Sequence, residues 1–477
     1  MNLLHNGDGR PQNAGPPKSG IRSALEYTGI PKSWLSKRPK LPSRNWLIFL
    51  TVTSSITGLF IYDRQQCKKI RQEYIDKVKH LSEETPDHLS YPRKVTVYGS
   101  KWPGDEDHDQ SMRYFRKYVK PVLVAAAVDY EMVNGRRHGD LANRIADEIN
   151  KRRRLDLGLD SPADRSGMPP RYTWRTKEQL RQQELNGGIV IVGRPTWKEF
   201  MTGLKNGWTD SLDIVDHDEE LSKELEADGR FDEPDEPMEG ASASPAQMHN
   251  SQFYASLQAK PSLPPPLPAP AVDVPVTIPA LPPILLVSFV DYVGIKLVPL
   301  MIWDWMNRRH HVRAGVEAGY RLVMANTRPI NPPATKPLFS DITSAPTPDT
   351  DVDFDKSMEG YFRSSLQSIP SDIERGRKKY YEQLPAKLVV ARELARNVRE
   401  PTSDEIKYPP QTEVELRAER MTKEKRWRKD LGGWEIIKPS QEVPWDPRFE
   451  SALTVFADPP KESENKEELS FNDTQSN

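Results

Sequence analysis

The side chains able to do acid–base, nucleophilic or metal chemistry are scattered along this chain rather than clustered. His310 and His311 are neighbours, so on a helix they point about 100° apart and share a metal poorly. His108 stands among Asp105, Glu106, Asp107 and Asp109, a set that attracts cations but whose ordinary state is a hydrated loop. Cys67 is the single cysteine, which excludes an intramolecular disulfide and leaves a bystander thiol or an intermolecular partner. No Cys-x-x-Cys, Cys/His cluster or His-x-x-x-His spacing is present for zinc. There is also no Walker loop, no Gly-x-Gly-x-x-Gly after a strand and no Gly-x-Ser-x-Gly elbow. The expectation is a chain with no catalytic residue, no cofactor and no metal.

The clearest local order surrounds one turn. Gly188-Ile189-Val190-Ile191-Val192-Gly193 is apolar throughout and reads as a strand buried on both faces. Thr196-x-x-Glu199 reads as a capping box, and Trp197, Phe200, Met201, Leu204 and Trp208 form one helical stripe after it. Strand, tight turn and helix make a β-α unit of an open α/β sheet.

Other elements must complete that sheet. A strand is expected at 95–98, ending at Gly99, then a helix over 111–120 that stops at Pro121. Stretch 122–128 fits a helix continuing to about 127, with a strand at 130–133. Asp140 is expected to cap a helix whose stripe is Leu141, Ile145 and Ile149. That helix ends in Lys151-Arg152-Arg153-Arg154, cations suited to a helix C-terminus, with a basic binding patch as the alternative. A buried strand is expected at 284–290, then one long or broken helix over 297–325. Its apolar segment 297–305 is too short to span a bilayer and is expected in the core. Ser371-x-x-Glu374 and Thr412-x-x-Glu415 are read as caps of two further helices, the first reaching about 398 with a kink at Pro385. Segments 434–437 and 453–456 are read as short paired strands.

Composition adds the linkers. Only 36% of residues are hydrophobic and 44 are proline, so part of the chain is spacer. Residues 210–240 hold fourteen acids against two basic residues, and a Pro-rich stretch follows to 283. A solvated insertion is expected; an acidic landing site for a basic partner, or a Pro-rich ligand for aromatic-lined grooves, is the alternative. With 68 basic and 69 acidic side chains, the net charge of −1 leaves no footprint for nucleic acid.

Residues 45–62 carry no charge, and as a helix they rise about 27 Å, enough for a thin hydrocarbon core. Trp46 and Tyr62 stand at the ends, where amphipathic rings prefer the headgroup level, and Arg44, Asp63 and Arg64 bracket the run. Contact with membrane lipids is therefore expected. The small residues Thr53, Ser54, Ser55, Thr57 and Gly58 suit close packing against another membrane helix. Lys32, Lys37, Arg38, Lys40 and Arg44 precede the span without a nearby acid, which favours the N-terminal side facing a cytoplasm-like compartment.

Two resemblances follow. The order of elements at 95–98, 121–133, 140–154 and 189–192 resembles the N-terminal domain of diacylglycerol-type lipid kinases. Those kinases then carry Gly-Gly-Asp-Gly-Thr. Here Val192, Gly193, Arg194, Pro195 and Thr196 match it, with Glu199 and Gly203 retained. Arg194 and Pro195 replace the loop Asp and the glycine after it, so the resemblance implies a degenerate nucleotide loop, and Pro195 removes an amide donor.

The second resemblance spans nearly the whole chain. Gly29-Ile30-Pro31, Leu41-Pro42-Ser43-Arg44-Asn45-Trp46, Tyr118-Val119-Lys120-Pro121-Val122-Leu123, Gly193-Arg194-Pro195-Thr196 and Trp445-Asp446-Pro447-Arg448-Phe449 occur in order. Together they look like the fungal 54-kDa subunit of the carrier translocase of the mitochondrial inner membrane, a size this chain shares at 54.5 kDa. The resemblance implies a single-pass protein with its N-terminus in the matrix and its large domain in the intermembrane space. It further implies a non-catalytic scaffold whose partners are the channel-forming translocase subunit, the small Tim chaperone complex and carrier precursor proteins. It also implies a link to assembly of an inner-membrane protease. The alternative function is a membrane-anchored lipid-kinase-like protein.

The expected organisation is a tail over 1–44, the span 45–62, a first α/β part over 63–209 and the linker 210–283. Residues 284–330 complete the α/β core, 331–369 form a linker, 370–458 a helical region with short strands, and 459–477 a disordered tail.

Overall fold

The computed structural model describes residues 43–83, 93–159, 177–212, 216–232, 274–333 and 350–459. The N-terminal tail, the Pro-rich stretch up to 273, most of the linker after 333 and the acidic tail lie outside the described residues. The chain divides into two units, Met1–Tyr62 and Asp63–Asn477.

The first unit contributes the beginning of helix α1 (Arg44–Glu83). This is the one helix among the described residues that is long and apolar enough to cross a membrane, and none of its apolar window is buried within the protein. Its hydroxyls are satisfied along the helix. Thr51, Thr53, Ser55 and Thr57 donate to the carbonyls of Leu47, Phe49, Thr51 and Thr53 at 2.7–2.8 Å. Bonding four residues back lets a hydroxyl enter hydrocarbon without an unmet donor.

The second unit is built on β1 (Lys94–Gly99). The helical stretch after it joins α2 (Gln110–Tyr114), a π-helical segment Phe115–Val119 and α3 (Lys120–Ala125). The helix does not stop at Pro121, as expected. The π segment restarts the hydrogen-bond register, so Pro121 falls in the first turn of α3, where its missing N–H is not needed. Next come β2 (Asp129–Asn134), α4 (Asp140–Asp156), α5 (Lys177–Asn186), β3 (Gly188–Val192), α6 (Arg194–Thr209) and α7 (His217–Glu226). Beyond the Pro-rich stretch lie β4 (Ile284–Val287), α8 (Val298–Met306), α9 (Arg309–Met324) and β5 (Thr327–Pro329). The C-terminal part supplies α10 (Glu359–Ala395), α11 (Ser403–Lys407), α12 (Glu413–Ile437), α13 (Phe449–Ala452) and β6 (Thr454–Phe456).

The six strands form one sheet in the order β2-β1-β3-β4-β6-β5. All neighbours are parallel except β5 and β6. The fold is thus the open α/β sheet expected, with a helical C-terminal part. Strand β3 lies inside the sheet and is buried at every residue. Its alternation splits the core in two. Val190 and Val192 face Val119, Leu123, Val316 and Leu322 from α3 and α9 and the segment before them. Ile189 and Ile191 face Leu141, Trp197, Met201 and Leu204 from α4 and α6.

Several local expectations are corrected. Residues 434–437 end α12 and form no strand; β6 pairs instead with β4 and β5. Helix α10 begins at Glu359, well before the expected cap at Ser371, and runs through Pro370 and Pro385. The box Thr412-x-x-Glu415 does cap α12. Within the stretch expected to be a coreless insertion, α7 is ordered and its Leu221 is buried.

Candidate functional site

A doubly wound sheet binds ligands beyond the carboxyl ends of its strands, where the strand order reverses. Here that point lies between β1 and β3, at Gly99, Ser100 and the turn Gly193-Arg194-Pro195-Thr196. The chain fills the place with its own side chains. Gly193 has φ 81° and lies against Phe289, with any added Cβ held 3.3 Å from that ring. Its amide donates to the Val287 carbonyl at 2.9 Å, and Pro195 has none to offer.

The Arg194 side chain, 2% exposed, donates through Nε to Glu359 Oε1 at 2.8 Å. Its Nη1 donates to the carbonyls of Val352 at 2.7 Å and Phe354 at 3.0 Å. Lys198 Nζ meets the same Glu359 oxygen at 2.8 Å and donates to the Lys438 carbonyl at 3.0 Å. Two buried cations therefore share one carboxylate from the start of α10. The turn after β3 is locked to the segment 350–359 and to the end of α12.

Thr196 accepts from the Ser100 amide at 3.0 Å and donates to the Val192 carbonyl at 2.6 Å. The capping box expected with Glu199 does not form. Helix α6 begins three residues earlier, at Arg194 behind the cap position Gly193, with Pro195 in its first turn. Glu199 instead reaches α4, where its Oε2 accepts from the Leu141 amide at 3.1 Å. Asp140, expected as that helix's cap, opens α4 behind Gly139, and its carboxylate accepts from the Arg137 amide at 2.9 Å. The basic run at the end of α4 is not an open patch: Arg153 donates to the carbonyls of Gly207 and Asp210, at 2.7 and 3.0 Å.

Burial sets the ionisation of this region. It pushes Glu199 up to about 8, against backbone donors at Gly139, Leu141 and Ala142. It lowers Lys198, with Glu359 opposing the shift. Beyond the strand ends, burial and then the Asp105 carboxylate push Asp291 up to about 6. Cys67 is buried, and burial followed by Asp63 raises its thiol, so it is a poor nucleophile.

Comparison with known proteins gives the family. A family model described as the inner membrane protein import complex subunit Tim54 matches residues 22–456. The chain belongs to the Tim54 family. It is similar to the mitochondrial import inner membrane translocase subunit TIM54 of Cryptococcus neoformans var. neoformans serotype D, at 33% identity over 454 residues. That alignment covers 92% of this chain and 95% of the relative. The corresponding subunit of Aspergillus oryzae is 42% identical over 177 residues, covering 37% of this chain and 40% of the relative. Membership in the Tim54 family puts the chain at the mitochondrial inner membrane, in protein transport, and α1 supplies a candidate span.

In this Tim54 family member the candidate docking residues of the span are distributed along α1. Thr53, Ser54, Ser55, Thr57 and Gly58 are all exposed, and a Cβ at Gly58 would meet nothing within 4 Å. Small side chains over open space leave room for a second helix.

Two surfaces depart from what the residue types suggest. The acidic helix α7 lies on the basic helix α12. Asp218 pairs with Lys425 at 2.5 Å, Glu224 with Arg428 at 2.7 Å, and Asp228 with Arg420. Below these, Glu424 is fully buried and accepts from Arg377 and from the Tyr381 hydroxyl at 2.6 Å. The front of the acidic block is thus matched within the chain.

Helix α8 departs the other way. The apolar segment 297–305 was expected in the core, yet no residue of α8 is buried. Trp303 is 69% and Ile302 59% exposed. Hydrophobicity alone does not distinguish a core helix from an exposed apolar one. The available signal was the pair of cation-bearing flanks, Lys296 before it and Arg308-Arg309 after it.

Proposed function

We propose that the chain is a non-catalytic scaffold of the inner-membrane translocase that inserts multispanning carrier proteins. Its partners on this reading are the channel-forming subunit, reached through Thr53, Ser54, Ser55, Thr57 and Gly58 of the span, and the small Tim chaperone complex. The N-terminal tail faces the matrix, as the basic residues before the span favour, and the large domain lies in the intermembrane space.

The observation that carries the reading is the filled crevice between β1 and β3. A phosphoryl-transfer site of the lipid-kinase type would use open backbone amides after β3. Here Arg194 and Lys198 occupy that ground, bonded to Glu359, and Pro195 offers no amide.

The test is affinity capture of the chain from mitochondrial membranes in mild detergent, with residues 45–62 native or replaced by an unrelated transmembrane helix. The scaffold reading expects a channel subunit and small chaperones with the native chain, and loss of the channel with the replaced span. A chain that comes down alone overturns it. Stoichiometric ATP binding, abolished by substitution within 193–196, would revive the kinase-like alternative.

A further inference from the structure

Helix α8 reads Val-Pro-Leu-Met-Ile-Trp-Asp-Trp-Met, and Ile295, just before it, is 90% exposed. A contiguous patch of Trp, Ile, Leu and Met is left uncovered in a folded protein only where something else covers it. Two observations say what that is.

The first is where the helix is tied. The Arg309 amide, at the junction of α8 and α9, donates to Asp63 Oδ1 at 3.2 Å. Arg64 Nη2 donates to the Trp305 carbonyl at 3.1 Å. Asp63 is the first residue after the uncharged run 45–62, and it is only 3% exposed. A chain that crosses the bilayer through that run has its headgroup level at residues 62–64. The C-terminal end of α8 is therefore fixed at the level where the chain leaves the lipid.

The second is charge. Lys296, Arg308 and Arg309 flank α8, and Arg64 and Lys117 lie close to it in the fold. Lys117 is lowered by burial and then by Arg308, Arg64 and Arg71, which marks cations gathered on one surface. The single acid of α8, Asp304, is paired with His311. An apolar helix rich in tryptophan, with cations at its edges, matches the boundary between acyl chains and anionic headgroups.

We infer that α8 is a membrane-contact helix, lying in the interface of the bilayer that α1 crosses, with Ile302 and Trp303 among the acyl chains and Lys296 and Arg308 on anionic phospholipid headgroups. The large domain is then held against the membrane at two points, the span and α8, rather than tethered by one.

The full chain is reconstituted into phosphatidylcholine vesicles with or without phosphatidylglycerol. It carries a polarity-sensitive fluorophore at Ile302→Cys in a Cys67→Ala background, or at Val414→Cys on α12 as control. Both labelled positions are exposed, so neither substitution disturbs the core. Resistance to alkaline extraction reports the span independently of α8. The expected result is a blue-shifted emission at position 302 and stronger quenching by a nitroxide high on the acyl chain than by one near its end. Neither effect is expected at position 414. Lys296→Glu with Arg308→Glu should reduce the quenching in vesicles containing phosphatidylglycerol. A label at 302 that remains in water in a chain resistant to extraction overturns the inference. A label that shifts with protein density but is not quenched by lipid nitroxides also overturns it, and assigns the patch to a second copy of the chain.

Discussion

The turn after β3 and helix α8 use their residue types in opposite ways. The turn is rich in charge, yet Arg194, Lys198 and Glu359 are withdrawn from water and satisfied by one another and by backbone carbonyls. Helix α8 is rich in apolar residues, yet none of them is buried. In the first region the fold has closed the place where open α/β sheets hold ligands. In the second it has left a surface that water does not favour. The difference teaches that neither charge nor hydrophobicity along the chain says by itself which side chains stay in reach of water.

The sharpest way to break that comparison is at Glu359. Glu359→Ala leaves two buried cations without their carboxylate, and should cost about 3–5 kcal/mol in urea unfolding of the full chain. Loss of well under about 1 kcal/mol would mean that water reaches the crevice.

A smaller effect tests how tightly the wall beside the crevice is packed. Gly203 on α6 faces α4, where a Cβ would stand 2.5 Å from the Ala142 carbonyl oxygen. Gly203→Ala should destabilise by about 1–3 kcal/mol, read as a lowered urea midpoint with unchanged slope.

Next comes a pH effect. Burial raises Asp291 from its ordinary 3.8 to about 6, so the folded state prefers the protonated form. Its contribution is present below the ordinary aspartate value and is lost as pH rises through about 6. Asp291→Asn should flatten the fall in stability over that window. An unchanged pH profile would mean that Asp291 is well hydrated.

The smallest effect lies on the exterior. Lys425→Ala and Arg428→Ala break half-exposed pairs between α7 and α12 and should each cost about 0–1 kcal/mol, diminishing with added salt. A larger, salt-independent loss would show that α7 is held as tightly as the crevice.

Part of this was legible in the residues. The uncharged run 45–62 between Trp46 and Tyr62 states its own length and boundaries. The all-apolar 189–192 marks an interior strand, because burial on both faces suppresses alternation. Collinear pieces from Gly29 to Phe449 pointed to the family. The capping box at Thr196 was misleading, because Ser-or-Thr-x-x-Glu spacing is local while the partners of Thr196 and Glu199, Ser100 and Leu141, are far away in sequence. The strand read at 434–437 failed similarly: a short Trp-Glu-Ile-Ile segment fits either period, and in the fold it is the last turn of α12.

By itself the sequence determined what depends on near neighbours: the span, the strand β3, the cap of α12 and the absence of any compact nucleotide or zinc motif. The tertiary structure alone decided what depends on contacts across hundreds of residues. Glu359 reaches Arg194 and Lys198, α7 settles on α12, and Asp63 takes hold of Arg309. The physical reason is that burial belongs to the assembled fold. The same apolar helix is core or exterior according to what the rest of the chain brings against it, and here no residue of α8 is buried.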